Sequence, residues 1–481
     1  MLFCRDNLKK NGFPGTHEGM SVAETKISGK PGEVCLVVDS RCTLQGAPAA
    51  LSAAIRDRLT IKNPKYDAAV RYGRWIGKQL KPKLYFYQET RGGLSFPRGF
   101  ANQAVLLCRK YTGTSPVIVD NRRELDPVDI SFSGDLRPYQ QLAVDAVLKR
   151  SFGVLEAGTG SGKTIMALNI IAERKQPTMI IVHSKELLHQ WQQRIEEFLG
   201  IEAGQAGGGR VKILPVTVGI VNTVRNKLDE LAPRFGHLVV DECHRVPASL
   251  FTDVVSAFDA WFMLGLSATA FRREDGMTRI IYTYMGDRAH AVESSELVES
   301  GAIVQPEFIQ KETGFTYGFR GEYPKLIKAL AKNEPRNDQI AGDIAQLLSK
   351  GHSGTVLVVS DRVAHCRVLQ EKLELLGYDA AMLTGRVHPE ERERIVARVQ
   401  AGKISVLIST LQLIGEGFDC PGLATIVLAT PIKFEGRLLQ VVGRVMRPAE
   451  GKKALVIDYV DVNVPVLRRS AVNRSEVFSR W

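Results

Sequence analysis

The sequence lacks four features that would place it in a special class of protein. Its seven cysteines never form a CxxC pair, no apolar run reaches the roughly 18–20 residues needed to cross a bilayer, no segment repeats, and the N-terminus has no apolar signal core. The cysteines are Cys4, Cys35, Cys42, Cys108, Cys243, Cys366 and Cys420. A disulfide scaffold and a zinc cluster both need tighter grouping, so we expect reduced thiols in a cytoplasmic protein. Residues 1–27 are expected to form a polar leader, with Met20 as an alternative start.

Length and charge narrow the class further. A chain of 481 residues with 44% hydrophobic residues is expected to fold into two to four globular domains. The net charge is +12 and the pI is near 9.3, which favours a polyanionic partner such as nucleic acid.

Most of the chain alternates short apolar runs with helical patterns, which predicts α/β domains with parallel sheets. The alternation appears in two blocks, so we predict one domain over 131–305 and a second over 341–465. Residues 306–340 are expected to be a linker or insertion, and 466–481 a basic tail.

The N-terminal segment 28–130 differs in character and is predicted to be a basic α+β accessory domain. Between Arg56 and Lys110 it contains thirteen basic residues and three acidic ones, with aromatic residues interleaved. This composition is typical of surfaces that hold phosphates and stack bases. The alternative is a small domain whose aromatic residues form its core, and periodicity does not separate the two.

A glycine-rich loop between an apolar strand and a helical pattern predicts an ATP site. It consists of Ala157, Gly158, Thr159, Gly160, Ser161, Gly162, Lys163 and Thr164. Glycines let backbone N–H groups approach phosphates, the helix N-terminus favours their charge, Lys163 reaches the β and γ phosphates, and the Thr164 hydroxyl binds Mg²⁺.

Two adjacent acids, Asp241 and Glu242, follow an apolar strand downstream of this loop. We predict that Asp241 holds Mg²⁺ and that Glu242 orients the attacking water, as phosphoryl transfer requires. His244 is a further candidate catalytic residue. Cys243 beside His244 would also suit zinc, but no second pair lies at finger spacing.

Gln440, Arg444 and Arg447 form a third candidate group. On a helix they would fall at i, i+4 and i+7 and therefore share one face. Arginines presented in this way stabilise charge in phosphoryl transfer.

These elements, in this order, resemble the DEAD/DEAH-like superfamily-two helicases. The match extends over about 135–465 and includes Leu136-Arg-Pro-Tyr-Gln140, Ser267-Ala-Thr269 and Gly415-Glu-Gly-Phe-Asp419. The triplet Arg273-Glu-Asp275 is similar to one in the xeroderma pigmentosum group B type repair helicases. Related bacterial and phage helicases, with a restriction-motor-type ATPase core, resemble the chain as well.

The resemblance implies a fold and a set of site residues. It implies two tandem RecA-like domains around an ATP cleft, with Arg137 and Gln140 reading adenine and with Gly417 and Asp419 contacting the nucleotide. The residues it implies at nucleic acid are Ser184, Lys185, Asn222, Thr223, Arg273, Ser360, Thr384, Gly385, Ser409 and Thr410.

The resulting expectation is an ATP- and Mg²⁺-dependent DNA helicase or translocase, monomeric, moving 3′-to-5′ in repair, recombination or fork remodelling. Two alternatives stay open: the motor subunit of a restriction or anti-phage complex with a separate nuclease, and an ATP-switched nucleic-acid clamp or sensor. Recombination or repair proteins are further expected partners. RNA stays open as the substrate, since contacts to the strand backbone look alike for both polymers.

Overall fold

The computed structural model describes residues 33–71, 75–77, 80–244, 248–268, 277–352, 354–385, 387–415, 422–433, 435–448 and 452–479. The chain divides into two compact units. The first contains the described residues up to Ala157 together with Gly162–Ala291, and the second contains Gly158–Ser161 and the described residues from Val292 onward.

The N-terminal part of the first unit is a five-stranded mixed sheet with helices packed on it. Its elements are β1 (Cys35–Val38), β2 (Arg41–Gln45), α1 (Ala49–Arg58), β3 (Thr60–Lys62), α2 (Pro64–Arg71), β4 (Lys83–Tyr85), β5 (Gln88–Thr90), β6 (Gly93–Pro97), a 3-10 turn (Arg98–Phe100), α3 (Ala101–Thr112) and β7 (Val117–Asp120). The strand order is β5-β6-β2-β1-β7, and β3 and β4 form a separate antiparallel ribbon. Leu51 and Ile55 of α1 and Ala104 and Cys108 of α3 are buried in its core. The predicted α+β fold of this segment is confirmed.

The aromatic residues of this domain divide between core and surface. Phe96 and Phe100 are buried, whereas Tyr85 is 54% exposed and Trp75 is 89% exposed. Some of the rings therefore form the core and others lie on the surface, and the binding of nucleic acid by the exposed rings stays a prediction.

The rest of the first unit is an eight-stranded sheet flanked by helices. Its elements are α4 (Pro138–Leu148), β8 (Phe152–Ala157), α5 (Lys163–Arg174), β9 (Thr178–Val182), α6 (Lys185–Leu199), β10 (Gly204–Gly207), β11 (Arg210–Lys212), β12 (Val216–Ile220), α7 (Val221–Arg225), α8 (Leu228–Leu231), a 3-10 turn (Ala232–Arg234), β13 (His237–Val240), α9 (Ala248–Ala257), β14 (Phe262–Ser267), α10 (Met277–Met285) and β15 (Arg288–Val292). The order is β11-β10-β12-β9-β13-β14-β8-β15, and the strands from β10 to β8 pair in parallel. Strands β8, β9, β13 and β14 are buried along their whole length because helices cover both faces.

The second unit is built on a six-stranded parallel sheet. Its elements are α11 (Ser294–Glu299), β16 (Glu307–Glu312), α12 (Tyr323–Ala331), α13 (Glu334–Ser349), β17 (Thr355–Ser360), α14 (Val363–Leu375), β18 (Ala380–Leu383), α15 (Pro389–Gln400), β19 (Val406–Thr410), α16 (Leu411–Gly415), β20 (Leu423–Leu428), α17 (Glu435–Val442), β21 (Leu455–Val460) and α18 (Pro465–Phe478). The order is β16-β21-β20-β17-β19-β18. The prediction of two parallel-sheet α/β domains is confirmed.

Two segments differ from the expectation. The stretch 306–340, expected to be a linker, supplies β16, which pairs with β21 over its full length, and also α12. The tail expected over 466–481 forms α18, where the guanidinium of Arg474 is buried and donates to the carboxylate of Asp458 at 2.8–3.0 Å. Both segments belong to the fold of the second unit because their side chains and backbone groups find partners there. Within the described residues, no helix is both long and apolar enough to cross a membrane.

Candidate active site and nucleic-acid contacts

The glycine-rich loop connects the end of β8 to the start of α5. Gly160 and Gly162 have φ of +88° and +78°, the left-handed region that glycine adopts without strain. A Cβ atom at Gly162 would lie 2.3 Å from Nε2 of Gln140, so a side chain there would displace that amide. Gly162 also caps α5, which begins at Lys163 and therefore directs its first N–H groups towards the loop.

Lys163 lies between the loop backbone and the acidic pair. Its Nζ donates to the carbonyl of Ala157 at 2.9 Å and lies 3.9 Å from Oε1 of Glu242. The ammonium group is thus placed where it can exchange the carbonyl for a phosphate oxygen. Thr164, the next residue, is half-buried in the first turn of α5.

Asp241 is a buried carboxyl group held by two donors. Trp191 donates its indole N–H to Oδ2 at 2.8 Å, and the backbone N–H of Glu242 donates to Oδ1 at 2.8 Å. Burial, together with the neighbouring negative charge of Glu242, raises the pKa of Asp241 to about 6. A buried carboxylate with a hydroxyl on the neighbouring helix has the chemistry of a Mg²⁺ site, so Asp241 and Thr164 fit the predicted ion.

Glu242 adopts a left-handed backbone, with φ of +45°, which is rare for residues other than glycine. Such conformations persist where the surrounding structure enforces them, and they are common at active sites. Its Oε2 lies 3.3 Å from Nδ1 of His244, which also contacts the hydroxyl of Ser267 at 3.0 Å. His244 thus connects the acidic pair to the end of β14. The thiol of Cys243 is buried, and burial raises the pKa of this thiol.

The residues expected to read adenine have separate environments. Gln140 is buried, and its Oε1 accepts a hydrogen bond from the backbone N–H of Arg137 at 2.9 Å, while its other amide atom lies behind Gly162. The side chain of Arg137 is exposed.

The predicted nucleic-acid residues of the first unit share one edge of the sheet. Ser184 and Lys185 follow β9, Asn222 and Thr223 follow β12, and these two strands pair in parallel with Val182 opposite Ile220. Ser184 caps α6 by accepting from the N–H of Leu187 at 3.3 Å. Carboxyl ends of neighbouring parallel strands form a shared binding edge.

In the second unit, the other predicted contacts lie at the carboxyl ends of the parallel strands of its own sheet. Ser360 ends β17, Thr410 lies opposite it at the end of β19, and Thr384 and Gly385 follow β18. Gly385 is exposed and Thr410 is half-buried, whereas Thr384 is buried.

Two of the predicted hydroxyl contacts point into this unit. The Ser360 hydroxyl is buried and lies 2.9 Å from Nδ1 of His365, and the Ser409 hydroxyl donates to the carbonyl of Leu383 at 2.8 Å. A direct contact from either hydroxyl to a nucleic-acid strand is therefore corrected to a role inside the fold. The reason is that each group finds its hydrogen-bond partner within the packed sheet.

The expectation that Gln440, Arg444 and Arg447 share one helical face is wrong. Gln440 is buried on α17, but α17 ends at Val442, and both arginines follow it in turns. After Val442 the backbone tightens, because the N–H of Arg444 donates to the carbonyl of Val441 at 3.2 Å and the N–H of Val445 donates to the carbonyl of Val442 at 3.0 Å, which is a 3-10 pattern.

The sequence prediction did not identify Trp191 as part of the acidic site. The apolar stripe Leu188, Trp191, Ile195 and Leu199 places the indole on the buried face of α6. A buried indole N–H needs an acceptor, which is the signal that was available in the sequence. Three predicted residues, Arg273, Gly417 and Asp419, lie outside the described residues.

The chain is similar to known proteins in sequence and in fold. Residues 133–272 match the family model "Type III restriction enzyme, res subunit", and residues 340–449 match "Helicase conserved C-terminal domain". A protein of Acanthamoeba polyphaga mimivirus named as an ATP-dependent RNA helicase is 27% identical over 88% of this chain and 82% of its own length. A DNA 3′-5′ translocase of Sulfurisphaera tokodaii is 26% identical over 68% of this chain and 81% of its own length. The solved structure of S. cerevisiae Dbp5 bound to RNA and ADP BeF3 shares the fold, with a TM-score of 0.53, 17% identity, and coverage of 72% of this chain and 88% of that chain.

Proposed function

The chain belongs to the superfamily-two helicases, related to the xeroderma pigmentosum group B type and to restriction-type motors, and is a nucleic-acid-dependent ATPase; we propose that it moves 3′-to-5′ along DNA in repair, recombination or fork remodelling. The observation that carries the proposal is the placement of Lys163, Asp241 and Glu242 beside the glycine-rich loop. The polarity and the preference for DNA are supported by the similarity to the Sulfurisphaera relative, which is named as a DNA 3′-5′ translocase.

Each residue of the site has a proposed task. Lys163 leaves the Ala157 carbonyl to bind the β and γ phosphates, and Glu242 orients the attacking water. Asp241 and Thr164 hold Mg²⁺, which neutralises phosphate charge when bound. From the second unit, we propose Arg444 and Arg447, which follow α17, as the groups that stabilise charge developing on the transferred phosphoryl group, and Gln440 of α17 as a further catalytic residue.

We further propose that the N-terminal domain binds nucleic acid through the ribbon of β3 and β4. The register pairs Lys62 with Lys83 and Thr60 with Tyr85, so these four side chains share one face. Both lysines and Tyr85 are exposed, and neither lysine forms an ion pair with a described carboxylate. Two like charges directly opposite each other repel, which an anionic strand relieves, while an exposed tyrosine ring can stack on a base.

ATPase measurements across single-stranded, forked, branched and duplex DNA, with RNA as comparison, test the proposed activity. Lys163→Ala and Glu242→Gln are expected to abolish nucleic-acid-stimulated hydrolysis, whereas Lys212→Ala, a surface variant that loses an ion pair with Glu202, is the control. Normal turnover by Lys163→Ala would refute the assignment. If RNA stimulates hydrolysis more strongly than each of the DNA substrates, the proposed substrate becomes RNA, as in the name of the mimivirus relative.

Strand displacement and translocation assays separate the alternatives. ATPase stimulation without displacement or movement would favour a clamp or sensor. The family model named for a type III restriction subunit gives specific support to a restriction motor. Co-purification of a nuclease subunit with this chain would favour that reading over a repair helicase.

The ribbon is tested by the salt dependence of DNA binding. Replacing both Lys62 and Lys83 by alanine is expected to lower the slope of log affinity against log salt by about 1.4 on single-stranded DNA. The control removes two exposed charges elsewhere on the domain, in Arg109→Ala with Lys110→Ala. An unchanged slope in the ribbon variant would exclude the ribbon as the contact.

A further inference from the structure

A buried carboxylate directly before the glycine-rich loop has no task in the mechanism above. Glu156 is 6% exposed and occupies the last position but one of β8. It accepts a hydrogen bond from the hydroxyl of Tyr282, and its Oε2 lies 3.5 Å from Nη1 of Arg288. A carboxylate is costly to bury unless such partners hold it, so its position depends on them.

Glu156 is adjacent to two elements of the nucleotide site. The next residue, Ala157, supplies the carbonyl that holds Lys163 at 2.9 Å. On the neighbouring strand, Glu156 lies opposite Ser267, whose hydroxyl contacts His244. A shift of Glu156 would therefore move the backbone on which the lysine rests.

Tyr282, the donor to Glu156, lies on α10, and α10 also packs against the N-terminal domain. The backbones approach each other closely at Gly99, where a Cβ atom would lie 2.4 Å from the N atom of Gly286 and 2.6 Å from the carbonyl carbon of Tyr284. No side chain fits between the 3-10 turn and the end of α10. The two elements therefore cannot slide past each other without separating.

Further contacts hold α10 to this domain along its length. They are the hydrogen bond from Arg279 Nη2 to the carbonyl of Arg58 at 2.9 Å, the edge contact of the Phe86 and Tyr284 rings at 6.1 Å, and, just after α10, the hydrogen bond from Asn102 to Asp287 at 3.2 Å. α10 is thus held to the N-terminal domain by these contacts and to β8 by the hydrogen bond from Tyr282 to Glu156.

We propose that Tyr282 is a positioning residue for the nucleotide loop, and that α10 transmits the position of the N-terminal domain to Lys163 through Glu156. This inference rests on the proposed function, and it adds a regulatory input: a displacement of the N-terminal domain changes the affinity for ATP. Burial, and then the hydrogen bond to Glu156, raises the pKa of Tyr282, so the hydroxyl keeps its proton and remains a donor in the pH range of an assay.

Two substitutions act on two different contacts of α10, one with Glu156 and one with the 3-10 turn. Tyr282→Phe removes the donor to Glu156 and keeps the ring, and Gly99→Ala separates the 3-10 turn from α10. Each is expected to weaken binding of Mg²⁺-ATP by about 3- to 10-fold, as loss of one hydrogen bond to a charged group would when partly compensated. Because both act through one helix, the double variant is expected to lose less than the product of the two single effects.

The measurement is direct binding of Mg²⁺-ATP and ADP by the full chain, together with KM and kcat for nucleic-acid-stimulated hydrolysis. Controls are Tyr378→Phe, which loses a tyrosine hydrogen bond to Ala345 in the second unit, and Gly342→Ala, where a Cβ atom meets open space. A purely structural role would lower thermal stability in the variants and leave KM unchanged.

The outcomes separate this inference from the proposed function. Wild-type nucleotide affinity in Tyr282→Phe overturns the role of Tyr282. Weakened binding in Tyr282→Phe with unchanged binding in Gly99→Ala overturns transmission along α10. If Gly99→Ala fails to fold, Arg279→Gln, which removes the bond to Arg58, replaces it. Absence of stimulation by any nucleic acid in the wild type refutes the proposed function instead, because nucleotide binding is measured without nucleic acid.

Discussion

Removing the indole N–H of Trp191 should move the acid limb of the ATPase pH profile. The donor lies 2.8 Å from Oδ2 of Asp241, and the Trp191 side chain is 2% exposed, so water does not replace the lost hydrogen bond readily. Trp191→Phe keeps an aromatic ring in the apolar stripe of α6 and removes only this donor and part of the ring. The substitution therefore isolates the contribution of one hydrogen bond to the state of the predicted metal ligand.

The magnitude follows from the charge on the acceptor. A hydrogen bond to an ionised group contributes about 1.5–3 kcal/mol, and about 1.4 kcal/mol corresponds to one pKa unit. The pKa of Asp241, raised to about 6 by burial and by Glu242, should therefore rise to roughly 7–8 in the variant. At pH 7 the ionised fraction falls from roughly 90% to between about 10% and 50%. Because Mg²⁺ binds the ionised carboxylate, activity at low Mg²⁺ should fall about 2- to 10-fold at pH 7.

The assay is nucleic-acid-stimulated ATPase between pH 5.5 and 9 at limiting and at saturating Mg²⁺. The defect is expected to shrink both at high pH and at high Mg²⁺, because each favours the ionised, metal-bound form. Trp261→Phe is the control, since its ring lies under the Arg122 guanidinium at 4.3 Å and has no part in the acidic site. An acid limb at the wild-type pH in Trp191→Phe would refute both the hydrogen bond and the assignment of Asp241 to the metal.

Three further outcomes follow from single residues of the two units. Gly162→Ala places a Cβ atom against Gln140 in a left-handed backbone, and the strain of about 1–2 kcal/mol should lower ATP affinity roughly tenfold, measured by direct titration. Arg336→Met leaves the carboxylate of Asp461 buried without its cation, since both side chains are 0% exposed, and should lower the free energy of unfolding by about 3–5 kcal/mol in urea. An additional hydrophobic replacement of Asp461 should restore most of that loss. His365 is buried, and its pKa is lowered to about 3 by burial and by the charge of Arg336, whereas the unfolded chain takes up this proton below pH 6.5. The contribution of His365 to the free energy of unfolding is therefore complete above pH 6.5 and is lost by about 1.4 kcal/mol per pH unit towards pH 3. His365→Gln should remove this slope.

Local chemistry explains why some of the site was predictable from sequence. The loop from Ala157 to Thr164 needs glycines at left-handed positions and a lysine at the helix start, and these requirements are met by neighbours in the chain. An apolar strand followed by Asp241 and Glu242 similarly predicts acids at a sheet edge, and the structure shows both beside Lys163.

Side-chain direction was not predictable at Ser360 and Ser409. Their position at the ends of parallel strands is as the motifs imply, but their hydroxyls turn inward to His365 and to the Leu383 carbonyl. A hydroxyl takes whichever acceptor or donor the packed neighbours supply, and those neighbours come from other elements of the sheet.

Helix ends and partners distant in sequence also depend on the fold. A seven-residue spacing suggested that Gln440 and Arg447 share a face, but α17 ends at Val442, where the backbone changes to the tighter hydrogen bonds of a 3-10 turn.

The sequence by itself determined the parallel-sheet fold, the nucleotide loop and the acidic pair, because each depends on residues that are close in the chain or on strand periodicity. The tertiary structure decided which groups hold these residues: Trp191 at Asp241, and Tyr282 at Glu156. These partners are 50 and 126 positions apart in the chain, and a hydrogen bond between them depends on packing that no local pattern encodes.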